Sequence, residues 1–204
     1  MVCKKQELDT SYLIHLPRQV MNGRVETFRR GLFSLHTRRF GAIGEIFVQA
    51  IENFDAPESI FHDLIDSMNN ERIEVKCSRV LTANSETITV ENFSQQCLNN
   101  DPDSRPVNYG DRETSSWDCN IQQVKRTEFS RLYYLLFFRD RISVFSIRSE
   151  EIARDSAINY SNKQHKNNEG EGQFHVTNEN IQHHIDIYHF EDYTYAQLIE
   201  LFED

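Results

Sequence analysis

Between Ile73 and Val80 the chain reads IEVKCSRV, an apolar run interrupted by Glu74 and Lys76. Side chains two apart on a strand share a face, so a strand here presents a carboxylate and an ammonium side by side. The run Ile60 to Asp66 before it is strand-like too, and the polar stretch Ser67-Met68-Asn69-Asn70 between the two is hairpin chemistry. With the turn centred between Met68 and Asn69, residues whose numbers sum to 137 face each other, which sets Asp63 opposite Glu74. Directly opposed residues on one face lie about 5 Å apart at Cβ, and two carboxylates so placed repel unless positive charge lies between them. A divalent cation suits that gap. Mg²⁺ takes oxygen ligands, keeps part of its hydration shell and leaves room for a phosphate oxygen. It would polarise a phosphodiester, while Lys76 could orient or deprotonate a water and stabilise the developing charge. The alternative is a solvent-facing Glu74–Lys76 pair, worth about 0.2–1 kcal/mol. No other (Asp/Glu)-x-Lys triplet occurs in the chain, and the facing Asp63 is what makes this one a candidate site.

The elements that must position these residues can be read along the chain. Residues 1–39 are mixed and Arg-rich, with a turn expected at Asn22-Gly23. From Phe40 a helix is expected, with Ile43, Phe47, Ala50, Ile51 and Phe54 at helical spacing, ending at Pro57. After the hairpin come one short strand at Thr87–Val90 and a long polar loop over about 97–117. A strand at Cys119–Val124 follows, then a helix opened by Thr127 and Glu128 whose Phe129, Leu132, Tyr133, Leu136 and Phe137 fit a 3.6-residue period. A strand at Arg141–Ile147 is next, then a polar Gly/Asn-rich loop, SNKQHKNNEGEGQFHVTNEN. A short helix carrying Ile181, Ile185 and Tyr188 precedes a last helix from Thr194, with Gln197 at capping-box spacing. This order predicts an α/β (α+β) fold with a mixed central β-sheet flanked by helices.

At 204 residues with a net charge of −10, the chain as a whole is a poor polyanion binder. The charge is unevenly spread, however. Residues 1–50 hold eight Lys or Arg against four acids, and the last 38 hold nine acids and no Lys or Arg. The basic end could track phosphates or simply be solvated. The four cysteines, Cys3, Cys77, Cys97 and Cys119, form no C-x-x-C pair and read as reduced thiols. Neither an 18-residue apolar run nor a signal-peptide core is visible, so a cytoplasmic protein is expected. His183, His184 and His189 complete no recognised zinc spacing and read as helix-surface residues, and Tyr133 and Tyr134 as core.

Asp63 followed by Glu74-Val75-Lys76 resembles the PD-(D/E)xK nuclease motif, with His62 where a loosely kept proline often stands. Together with NIQQVKRTEFSRLYYLLFF, RISVFSI and NEGEGQFHVTNENIQHHIDIY, it resembles small type II restriction endonucleases over most of Gly41 to Phe202. The resemblance implies a restriction-endonuclease-like fold in a single nuclease domain, 1–204. Its parts would be the Arg-rich segment 1–39, a catalytic core at 40–147, and a C-terminal region at 148–204 with a DNA-contact loop and two helices. It implies Asp63 and Glu74 as metal-binding carboxylates and Lys76 as the catalytic lysine, with Mg²⁺ as cofactor and Mn²⁺ as a substitute. Glu45 matches an acid that many members turn toward the metal, although it lies off the apolar face of its helix and could be a surface carboxylate. Gln123 matches a polar position near the active site or, equally, is a sheet-edge amide. Double-stranded DNA would be the substrate and a homodimer the working form. Arg29, Arg30, Arg38 and Arg39 are candidate phosphate contacts. Lys163, Gln164, His165, Lys166, Asn167, Asn168 and Gln173 form a candidate base-reading loop, or an idle polar one. A structure-directed repair or junction nuclease, and a catalytically idle DNA-binding fold, are the competing expectations.

Overall fold

The computed structural model describes residues 18–57, 60–83, 86–99, 101–164 and 168–203. Its centre is a mixed five-stranded sheet in the order β1-β2-β4-β5-β8. The strands are β1 (Leu64–Asp66), β2 (Glu71–Arg79), β4 (Arg131–Phe137), β5 (Ile142–Arg148) and β8 (His189–Tyr193). β2 runs parallel to β4, and the other neighbours are antiparallel. Helices α1 (Arg18–Phe33), α2 (Thr37–Glu52) and α6 (Tyr195–Leu201) cover one face, burying Phe47, Val75, Leu135 and Leu198 in a common core. The other face is covered differently. There a three-stranded sheet, β3 (Asp118–Val124), β7 (Asn168–Thr177) and β6 (Ser161–Gln164), packs with the short helices α4 (Glu151–Arg154) and α5 (Ile181–Tyr188) around Leu132, Tyr134 and Phe145. Helix α3 (Phe93–Leu98) buries none of its residues. Among the described residues no helix is long and apolar enough to cross a membrane.

The mixed α/β class is as expected from the sequence; several elements differ. Residues 131–137, expected as helix, form the central strand β4. From Leu132 onward every residue of β4 is buried, and a strand covered on both faces reads as a continuous apolar run that also satisfies a helical period. The expected turn at Asn22-Gly23 lies inside α1. Residues 87–90 form no strand, and Ile88 and Val90 are exposed. The polar loop after Ser161 is instead the β6–β7 hairpin; Phe174 and Val176 are buried, alternating with half-buried Gln173 and His175. His184, expected on a helix surface, is fully buried. Tyr133 and Tyr134 are core, as expected, and Cys77, Cys97 and Cys119 are free thiols. The segment between α3 and β3 is irregular, but it is pinned by buried Val107 and Trp117, whose Nε1 donates to the Arg112 carbonyl at 2.6 Å.

Two local features place the hairpin against α2. Four residues join β1 to β2, with Asn70 in the left-handed region (φ 55°), and the Asp66 carboxylate accepts the Met68 and Asn69 amides at 3.0 and 3.1 Å. These bonds close the turn and fix the register. The observed partners Leu64↔Ile73, Ile65↔Arg72 and Asp66↔Glu71 all follow the register expected from the sequence. Helix α2 then crosses β2 at Gly44, where a Cβ would lie 3.1 Å from the Cys77 Sγ. That close approach brings Glu45, the next residue, over the edge of the strand.

Candidate active site

Strand β2 separates two environments. Ile73 and Val75 are buried against α2, while Glu74 and Lys76 point to the opposite face and retain 12% and 23% of their side-chain exposure. Lys76 Nζ and a Glu74 carboxylate oxygen form a short ion pair. Strand β1 begins only at Leu64, so Asp63 stands one residue beyond the ladder rather than within it, as the expected Ile60–Asp66 strand would have had it. Its amide donates to the Ile73 carbonyl at 3.0 Å. Its Oδ2 accepts the Val75 amide at 2.8 Å. The Asp63 carboxylate thereby replaces the strand partner that β1 is too short to supply to Val75, which fixes it beside Glu74.

The electrostatics bind these residues into one group. Burial pushes the Glu74 carboxyl up to about 7; Lys76 opposes the rise, and the carboxylates of Asp63 and Glu128 add to it. Glu45 is also raised, first by burial and then by Asp63, with Lys76 again opposing. Glu45 is half-buried on the flank of α2, so despite its place off the apolar stripe it joins the cluster. Asp63, Glu74 and Glu45 thus feel one another's charge or that of Lys76, and Glu74 feels Glu128 as well. Each negative charge makes the next more costly to ionise in this partly desolvated setting. No group of three His, Cys, Asp or Glu among the described residues is arranged to hold a metal ion unaided.

The remaining sequence candidates lie elsewhere. Gln123 is exposed, with φ 57°, at the irregularity between Ile121 and Val124 in the β3–β7 pairing. The left-handed backbone turns it outward, and no described contact joins it to Lys76. Arg29 is buried, pairs with Glu26 and lies over the Phe33 ring at 5.7 Å, so its guanidinium serves α1 rather than a ligand. Arg30 is exposed and bridges to Asp103 at 2.8 Å. Arg38 and Arg39 are exposed on the first turn of α2. Lys163 is exposed and pairs with Glu169 at 3.3 Å across the β6–β7 hairpin, and Gln173 accepts from Asn120 at 3.1 Å. Gln164 and Asn168 close that hairpin as backbone partners. His165, Lys166 and Asn167 lie outside the described residues.

Two residues that sequence reasoning passed over flank the cluster. Arg72 follows the same alternation as Glu74 and Lys76, and that spacing alone could have placed it on their face. His62, noted only as a departure from a motif, is 8% exposed, and neither ring nitrogen has a hydrogen-bond partner. Glu128, expected as a helix first-turn acid, instead sits in the turn before β4. Comparison with family models, with curated proteins and with solved structures finds no match for this chain.

Proposed function

We propose that this chain is a Mg²⁺-dependent type II restriction endonuclease, hydrolysing double-stranded DNA at a specific sequence, with a restriction-endonuclease-like fold of the PD-(D/E)xK kind. The observation that carries the reading is the joint placement of Asp63, Glu74, Glu45 and Lys76, with the Glu74 carboxyl raised to about 7 by burial, and by Asp63, against the opposing pull of Lys76. Such a surplus of carboxylate over ammonium fits a cation. Mg²⁺ commonly binds through only one or two carboxylates, filled out by water and substrate phosphate, so a preformed protein cage is not required. Asp63 and Glu74 would hold the ion, with Glu45 as a further acid. When bound, it would polarise the phosphodiester and lower the pKa of a bound water.

The protein's own groups supply the rest. The Val75 amide holds Asp63 in one orientation, so a ligand oxygen meets a positioned carboxylate rather than a mobile one. Glu74 holds the Lys76 ammonium over the same face. From there Lys76 can position an attacking water and offset charge on the pentacovalent phosphate, contributions that for positioned acid–base groups reach about 10²–10⁴-fold. Two-fold DNA sites call for two-fold proteins, so a homodimer would cut both strands.

Incubating the purified protein with several long duplex DNAs, with and without Mg²⁺, tests the proposal. Discrete fragments that require the metal are expected. Cutting confined to branched or damaged DNA would replace restriction by repair, and no cutting under any condition would leave at most a DNA-binding role.

A further inference from the structure

A cavity of about 440 Å³ opens beside the candidate active site, lined by Arg72, Arg126 and Arg148 together with Thr127, Ser130 and Ser149. In a chain of net charge −10, a hollow lined by Arg72 and Arg126, with Phe129 at its wall and the Arg148 guanidinium turned away to Glu71, is a local reversal of sign. The walls are tied together by backbone. Ser130 donates its amide to the Arg72 carbonyl at 2.8 Å, and Ser149 donates to the Ser130 carbonyl at 2.9 Å. Arg126 is set by packing: its guanidinium lies 5.2 Å from the Tyr160 ring centroid, and Tyr160 lies so close over Gly172 that a Cβ there would fall 1.9 Å from the hydroxyl. The Arg126 Nη1 is out of contact with solvent and has no acceptor. Arg148 bridges to Glu71 at 3.1 Å, and the one acid on the rim, Glu150, lies 3.9 Å from Arg154. Among the described residues neither Arg72 nor Arg126 has a carboxylate partner.

We propose that this cavity is a phosphate-binding site, and that its occupant is a backbone phosphate of the nucleic-acid strand that crosses Lys76. The first part stands on the cavity; the second rests on the nuclease reading. Forked guanidinium donors match the oxygens of a phosphate, and among the described residues Arg72 and Arg126 have no carboxylate that would compete for them. The link to the active site is β2 itself. Arg72, Glu74 and Lys76 are successive residues on one face, so about 7 Å of strand separates the Arg72 and Glu74 backbones. A strand held at Arg72 is thereby placed in register over Lys76. Phosphate contacts of this kind position a duplex without reading its sequence.

The test uses the full chain and three variants: Arg72→Gln, Arg72→Lys and, as a control outside the cavity, Arg154→Gln, whose side chain is 75% exposed. Thermal denaturation is followed with inorganic phosphate against chloride at equal ionic strength. Binding of a fluorescent duplex is followed by anisotropy across a KCl series with chelator present, so that the DNA stays intact. Phosphate should raise the wild-type Tm saturably, and Arg72→Gln should abolish the rise while Arg154→Gln keeps it. For the duplex, Arg72→Gln should reduce the slope of log K against log salt by about one. Arg72→Lys should keep that slope but weaken the inorganic phosphate effect, because it retains the charge and loses the fork. No phosphate-specific rise in the wild type overturns the site. A rise lost in Arg72→Gln with an unchanged DNA slope overturns the nucleic-acid occupant and leaves a small phosphate ligand. Because neither measurement reads cleavage, a protein that binds DNA through Arg72 but never cuts counts against the nuclease reading alone.

Discussion

The polar clusters around Lys76 and around α5 are both partly buried, and their carboxylates are driven in opposite directions. Around Lys76, Glu74 is pushed up to about 7 by burial and by neighbouring acids. Around α5, Asp155 is also penalised by burial, but hydrogen bonds from Tyr188, His183 and the Ala157 amide outweigh it and bring the carboxyl down to about 2. The distances show why: Tyr188 Oη and His183 Nε2 each lie 2.6 Å from Oδ2, and the Ala157 amide donates to Oδ1 at 2.9 Å. His184 beside them is fully buried, bonded to the Tyr134 hydroxyl at 2.7 Å, and its imidazole is lowered to about 4, chiefly by burial. The Asp155 carboxylate is therefore matched within the protein, although the buried His184 Nε2 beside it has no partner among the described residues, whereas in the β2 cluster burial and neighbouring acid outweigh the single ammonium of Lys76. The first arrangement stabilises a fold; the second carries a surplus of acid that the proposed cation would offset.

The largest expected effect separates the two by chemistry. Lys76→Ala should lower DNA cleavage on the order of a thousandfold while leaving duplex binding largely intact, and Asp155→Asn should leave cleavage unchanged. A cleavage assay on both variants checks this, and normal cutting by Lys76→Ala would remove the site assignment.

Stability should separate them with the opposite sign. The lowered carboxyl of Asp155 contributes stability that is complete above its ordinary pKa and is lost as pH falls through about 2. Asp155→Asn should therefore lower stability at pH 7, a deficit that closes as pH falls toward 2. Glu74 runs the other way. Its raised carboxyl makes the folded state bind more protons than the unfolded one between the ordinary value and about 7, so its ionisation lowers stability as pH rises through that window. Glu74→Gln should accordingly stabilise the metal-free protein by about 2 kcal/mol at pH 8, with the gain vanishing near pH 4. Urea denaturation at several pH values measures both.

The smallest effect concerns how α2 delivers Glu45. Gly44→Ala places a Cβ about 3.1 Å from Cys77 Sγ, and overpacking of this kind costs about 1–3 kcal/mol. Because it lifts α2 from β2, it should also weaken Mg²⁺ binding modestly, which calorimetry on the folded variant would show.

What could be read from the sequence divides along the same physical lines. The hairpin register was legible because a short turn leaves few alternatives, and the α6 capping box because Thr194 and Gln197 satisfy each other locally. The central strand β4 was not, since burial on both faces erases the alternation that marks a strand. Glu45 looks misplaced on a helical wheel because the charges it feels, Asp63 and Lys76, lie outside its helix, and the arginine cavity is invisible because Arg72, Arg126 and Arg148 are far apart in the chain and line one hollow only in the fold. His184 reads as a helix-surface residue for a related reason: it is core only because Phe174 of β7 covers it.

The central claim is that the β2 cluster is a cation site, and calorimetric Mg²⁺ titration at pH 7 in buffers of different ionisation enthalpy tests it most directly. With Glu74 near half-protonated at that pH, binding should release about half a proton, falling toward zero by pH 8.5, because a metal-bound carboxylate must be deprotonated. The release should disappear in Glu74→Gln and persist in Asp155→Asn. Absence of Mg²⁺ binding by the wild type, or binding and proton release unchanged in Glu74→Gln, would contradict the site.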